Sequence, residues 1–235
     1  MLTGTLDSLI AAAAAFVAGH FILSSRGPRR ALVRALGEQQ FLLVYSVIAL
    51  ATFVWMLAAY GNAPYLAIWA PPPVLRWVPL LVMPVACFLV VAGLSTRSLT
   101  AVGGGGADIA GGPRSAAPGI VSITRHPTLW GFALWALAHL SVRGDAANMI
   151  LMLAILVLSF GGMVHIDQRR EISLGSAWGP TKMTTSLIPF AAILSGRTAL
   201  DWRGIGWYRP VAALALYVVL LYAHPWIAGV AVVPH

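Results

Sequence analysis

Two histidines stand in an otherwise apolar stretch, SITRHPTLWGFALWALAHLSVRGD, residues 122–145. An imidazole can ligate a transition metal or haem iron, or exchange a proton near neutral pH. It is costly to place on a lipid-facing helix, so such a residue usually marks a functional site. His126 and His139 therefore lead the candidates. His20, His165 and His224 lie in or beside other apolar stretches, and the C-terminal His235 is given no role. The structural alternative for each is a ring bonded to a backbone carbonyl or a neighbouring hydroxyl in a packed bundle.

The elements that must carry these residues are membrane helices. Of 235 residues 59% are hydrophobic and 9% charged, far too apolar for a soluble domain of this length. A helix crosses the hydrocarbon core in roughly 20 residues. Six segments have about that length: Leu6 to Leu23, Phe41 to Tyr60, Leu75 to Leu94, Pro127 to Ser141, Ala146 to Ile166 and Trp207 to Val233. None alternates with period two, which excludes a membrane β-barrel. The expected fold is an all-α membrane bundle of about six helices forming a single domain, residues 1–235.

Lysine and arginine collect on the cytoplasmic side of a membrane. Arg26, Arg29, Arg30 and Arg34 follow the first segment; Arg97, Arg114 and Arg125 follow the third; Arg169, Arg170, Lys182, Arg197, Arg203 and Arg209 lie between the fifth and sixth. Only Arg76 and Arg143 fall on the other face, so both termini are expected outside. The net charge of +8 and pI near 10.6 follow from this bias. The basic loops call for membrane lipid as partner and not for nucleic acid. The first segment lacks a charged start and a small-residue cleavage site, so it reads as a retained helix. Cys87, alone in the chain, rules out an internal disulfide framework and reads as packed.

Residues 101–119, AVGGGGADIAGGPRSAAPG, have the composition of a flexible cytoplasmic linker. GGGGAD lacks the Lys-Ser/Thr of a phosphate loop. Residues 167–206 mix charges with Trp178, Ile188, Phe190 and Trp202 and are expected to lie along the membrane surface.

A helical rise of about 1.5 Å per residue sorts the histidines by depth. His20, His126 and His165 fall on a cytoplasmic tier, His139 and His224 on an outer one. His139 is roughly 20 Å deeper than His126 in a regular helix. Trp135 and His139 are spaced i, i+4, which puts the indole one turn below the imidazole on one face. H-E-x-x-H and C-x-x-C-H are both absent, which removes zincin and covalent-haem sites.

AGHFILSSRGPRRALVRALGEQQF, SITRHPTLWGFALWALAHLSVRGD and IDQRREISLGSAWGPTKMTTSLIPFAAILSGR resemble the NnrU family and, more distantly, the plant 15-cis-zeta-carotene isomerases, over nearly the whole chain. The resemblance implies a bacterial inner-membrane protein binding b-type haem. It further implies a role in denitrification-linked nitric oxide metabolism or in cis-to-trans isomerisation of a carotenoid in the bilayer. His20 and His139 map onto candidate axial ligands of the iron, His126 onto the RHP motif as a further cofactor-binding residue, and His139 onto the catalytic position. Ala136 stands where the plant proteins carry a cysteine. The depth tiers oppose an iron shared by His20 and His139, because axial nitrogens lie only about 4 Å apart. Geometric rivals are His20 with His126 or His165, and His139 with His224. Trp135, with Trp130 and Phe132, is the candidate lining of an apolar substrate slot.

The order RHP, long helix, charged loop is also similar to isoprenylcysteine-type membrane methyltransferases. That likeness implies an S-adenosylmethionine carboxylate gripped by Arg125, His126 and one of Arg169, Arg170 or Glu171. REISLGSAWGPTKM departs from the methyltransferase pattern, so methyl transfer is the second expectation. A third is a non-catalytic membrane partner of nitric oxide reduction.

Overall fold

The computed structural model describes residues 2–96, 98–100, 119–230 and 232. The glycine-rich linker up to residue 118, Arg97, Arg114 and His235 lie outside the described residues. The described residues are helical, with no strand beyond an isolated bridge between Ala67 and Asp145. The chain is a multi-pass membrane protein.

The helices are α1 (Leu6–Ser24), α2 (Arg26–Leu36), α3 (Glu38–Gly61), α4 (Trp77–Ser95), α5 (Pro127–Val142) and α6 (Ala146–Leu174), then the short α7 (Gly179–Thr184), α8 (Ala191–Leu194) and α9 (Trp202–Ile205), and finally α10 (Tyr208–Ala228). Among the described residues five helical stretches are long and apolar enough to cross a membrane: those of α1, α3, α4, α6 and α10. The sixth expected segment is α5. Its 16 residues make about 24 Å of helix, shorter than the roughly 30 Å hydrocarbon core.

Two elements differ from the sequence reading. Arg26 to Arg34 form the amphipathic α2, with Arg29 paired to Glu38 at 2.5 Å and stacked 5.3 Å from the Phe41 ring. Such a helix suits the membrane surface. The helix beginning at Ala146 does not stop near Ile166 but runs to Leu174, 29 residues. Charge at a helix end does not break the hydrogen-bond ladder; the chain turns only at Gly175, whose φ of 55° favours glycine. Asp167 and Arg170 consequently share one face of a regular helix.

The chain divides into two compact units, residues 1–75 with 139–162, and residues 76–138 with 163–235. In the first, Leu9, Ala12, Ala13 and Phe16 form one buried stripe on α1. α1 packs on α3, which buries Met56 and Ala59 and brings Phe53 to 5.5 Å from the Phe16 ring. In the second, α4 packs on α10 and meets α5 closely: a Cβ at Gly131 stands 2.8 Å from the Ala86 carbonyl oxygen. Leu89, Ala92, Ile120, Val121, Ile123 and Ile205 form the core of this unit. Arg209 ties the start of α10 to the end of α4, with Nε donating to Ser95 Oγ at 2.8 Å and Nη2 to the Ser95 carbonyl at 3.1 Å.

Candidate functional site

His20 sits one turn from the end of α1, half-buried. Its Nδ1 lies 2.7 Å from the Phe16 carbonyl oxygen, and its ring meets Phe16 at 4.5 Å and Tyr45 at 5.7 Å, both edge-on. Nδ1–H donating to a carbonyl presents Nε2 as a lone pair, the arrangement metal-ligating histidines use. Gly19, Leu23, Tyr45 and Ile48 pack around the ring and leave no room for a water molecule between them.

His139 sits in the last turn of α5, half-buried. The turn that follows is built by its charged pair: Arg143 Nε donates to Asp145 Oδ2 at 2.5 Å, and Asp145 Oδ1 caps α6 by accepting from the Asn148 amide at 3.0 Å. Asn148 Nδ2 then donates to the carbonyls of Arg143 at 2.9 Å and His139 at 3.3 Å. Residues 66–69 dock on this turn through backbone bonds, Ile68 N to Gly144 O at 2.8 Å and Ala146 N to Leu66 O at 2.9 Å. Between the two segments lies a hollow of about 430 Å³ lined mainly by Tyr65, Ile68, Trp69, Pro71, Val142 and Arg143.

Within this unit His20 and His139 are far apart, and two rulers show it. The Tyr45 ring neighbours His20, while the Tyr60 ring lies 5.7 Å from the Arg143 guanidinium, one turn past His139. These tyrosines are fifteen residues apart on α3, about 22 Å. On α6, Asn148 holds the His139 carbonyl and Gly161 faces Phe21, where a Cβ stands 2.7 Å from the ring. Those positions are thirteen residues apart, about 20 Å. The structure does not bring these two imidazoles together.

The second unit carries the RHP motif. His126 is 3% exposed, and its Nε2 is 2.8 Å from Asp167 Oδ1 on α6. Arg125 Nε approaches the other oxygen, Oδ2, at 3.5 Å, and its guanidinium lies 5.8 Å from the Trp178 ring. One carboxylate thus orients both basic side chains. Burial pushes the Arg125 pKa down, the Asp167 charge counters it, and the neighbouring Arg197 adds to the depression.

A strap of backbone locks the motif. Arg125 N donates to Ser186 O at 2.9 Å, Thr124 Oγ1 to Leu187 O at 2.9 Å, Trp130 Nε1 to Leu187 O at 2.8 Å, and Phe190 N to Ile123 O at 2.8 Å. Phe190 is held at φ 64°, a strained value for an aromatic residue. Trp130 therefore anchors the strap through its indole N–H. Trp135 is half-buried and Phe132 exposed. Of the methyltransferase-like candidates, Arg125 and His126 are brought together. Glu171 is exposed and paired with Lys182 at 2.8 Å, leaving Asp167 as the acidic partner.

Sequence alone assigns Trp178 only to the interfacial 167–206 segment and does not single out Asp167, Tyr65 or Trp69. Asp167 opens the run DQRRE directly after an apolar span, and Tyr65 and Trp69 precede the Pro71–Pro73 triplet. Both are visible signals of a boundary, without any sign of their partners. No group of three or more histidine, cysteine or acidic side chains suited to a metal ion occurs among the described residues.

Two curated plant proteins resemble the chain. The chloroplastic 15-cis-zeta-carotene isomerase of Zea mays is 33% identical over 110 residues, 46% of this chain and 30% of that protein. The chloroplastic 15-cis-zeta-carotene isomerase of Arabidopsis thaliana is 33% identical over 114 residues, 47% of this chain and 31% of that protein. The match thus spans under a third of either plant protein's length. No solved structure matches. The family described as NnrU protein matches residues 8–232, and with that span, a helical membrane architecture and the three motifs accounted for, the chain belongs to the NnrU family.

Proposed function

We propose that the protein is a membrane isomerase that turns a cis double bond of an apolar polyene, of the ζ-carotene class, into trans. The observation that carries this reading is the aromatic hollow beside the last turn of α5, in a chain similar to two 15-cis-zeta-carotene isomerases. Its volume of about 430 Å³ lies within the ordinary range for small-molecule sites. It suits one end of a polyene, with the remainder left in lipid. Tyr65, Ile68, Trp69 and Val142 supply flat and aliphatic contacts that exclude water, and Asp145 fixes the Arg143 guanidinium at the rim. Isomerisation transfers no atoms, so the chain's task is to bind, orient and shield the bond that rotates.

Haem b is the cofactor the family resemblance implies, and its redox-active iron would supply transient bonding to the polyene. The donor chemistry of His20 fits iron. The close-packed space around it does not fit a porphyrin, and His20 with His139 do not fit as one axial pair. The family resemblance favours a bacterial inner membrane, and the arginine bias favours both termini outside it.

Membranes containing the protein, incubated with a cis polyene of this class, are expected to shift the cis-to-trans ratio measured by chromatography. Trp69→Ala is expected to slow the shift on the order of tenfold through lost positioning. A ratio equal to that of membranes lacking the protein sinks the isomerase reading. The haem reading has its own readout: a Soret band in the purified protein that disappears in His20→Ala. Its absence from wild type removes haem and leaves the polyene assay to stand alone.

A further inference from the structure

We propose that Arg125 is the anchor of a phosphate-binding site built on the RHP motif. Arg125 is 7% exposed, yet its buried Nη1 has no hydrogen-bond partner, and its Nε approaches Asp167 without hydrogen-bond geometry. A buried cation left short of hydrogen bonds is costly, on the order of several kcal/mol per ion in the general case. The strap could have released this side chain, but it instead fixes the Arg125 backbone through Ser186 and places the guanidinium over Trp178.

Charge balance points to an anion. Asp167 is shared between His126 and Arg125. Arg170 is buried on the same α6 face as Asp167, Arg197 acts electrostatically on Arg125, and Glu171 is matched by Lys182. Asp167 thus serves His126 as well as Arg125, Glu171 is already matched by Lys182, and Arg197 adds positive charge at Arg125. The positive end of α5 begins at Pro127, directly after the motif, and adds to the field. The guanidinium fork matches phosphate oxygens, and 9% of the Arg125 side-chain surface stays exposed. The phosphate comes from a phospholipid headgroup or from solution, and the same fork accepts either.

The test uses the full chain in a phosphate-free maltoside detergent, with and without added phosphatidylglycerol, and with and without inorganic phosphate. The midpoint of thermal unfolding is the first readout. The second is the Trp178 part of the fluorescence, obtained by difference from Trp178→Phe. A rise in midpoint with inorganic phosphate in detergent alone supports the site with a dissolved ligand. A rise only with phosphatidylglycerol supports it with a headgroup. In either case Arg125→Gln is expected to abolish the response, and Arg125→Lys, which keeps charge without the fork, to weaken it at least about tenfold. If Arg125→Gln does not fold, the Arg125→Lys titration and the wild-type fluorescence decide. No response to either probe, or an Arg125→Lys titration matching wild type, overturns the proposal.

Discussion

Two arginine–aspartate pairs, one in each unit, show how similar residues produce opposite situations. Arg143 and Asp145 meet at 2.5 Å; Arg143 stays 44% exposed, and both aspartate oxygens are engaged, one by Arg143 and one by the α6 amide of Asn148. Arg125 and Asp167 stand 3.5 Å apart, with the arginine nearly sealed and the aspartate already given to His126. The first pair is a finished structural turn. The second retains hydrogen-bonding capacity that the protein does not use on itself, which is the property expected of a group waiting for a ligand. Fold building and ligand binding thus use the same residue types, and the number of satisfied donors tells them apart.

The sharpest way to break this contrast is to remove each carboxylate. Asp167→Ala strands a buried guanidinium and a buried imidazole, and is expected to lower unfolding stability by about 3 kcal/mol. Chemical unfolding in detergent measures it; a loss no larger than at an exposed pair dissolves the distinction. Gly144→Val should come next. A side chain there runs into the Trp69 carbonyl and approaches the indole Nε1 at 2.8 Å, so overpacking of about 2 kcal/mol is expected. Loss of polyene turnover should accompany it; a variant as stable and as active as wild type would show that the hollow is not built on this turn. Asp145→Ala is expected to cost about 1 kcal/mol, because Arg143 returns to solvent and a helix cap is lost. That value should stay clearly below the Asp167 loss in the same assay.

The smallest effect concerns acid. Asp201 accepts from the amides of Gly119 at 2.7 Å and Gly204 at 2.9 Å, and these bonds hold its carboxyl below the ordinary carboxylate range. A depressed folded-state pKa contributes stability that is complete above the unfolded value and disappears as pH falls through the folded one. The difference in thermal midpoint between wild type and Asp201→Asn should therefore be constant near neutrality and close on acidification. A difference that persists unchanged into strong acid contradicts the assignment.

Much of the architecture was legible in the chain. Six apolar segments correspond to α1, α3, α4, α5, α6 and α10, because hydropathy is a local sum over adjacent residues and lipid demands it of every span. The separation of His20 from His139 was legible too, since rise per residue is a constant of the helix. The length of α6 was not: the charges after Ile166 look like a loop in composition, while the backbone ladder continues past them to Gly175, whose positive φ turns the chain.

What the sequence determined by itself is the set of membrane helices, the bias of positive charge and the separation of His20 from His139, all of which depend on neighbours along the chain. The tertiary structure alone decided that Asp167, 41 residues from His126, is its partner, that the 62–75 segment closes a hollow over the end of α5, and that Arg125 is sealed with donors unspent. These depend on which helix faces turn toward one another, and packing selects those faces through side chains distant in sequence.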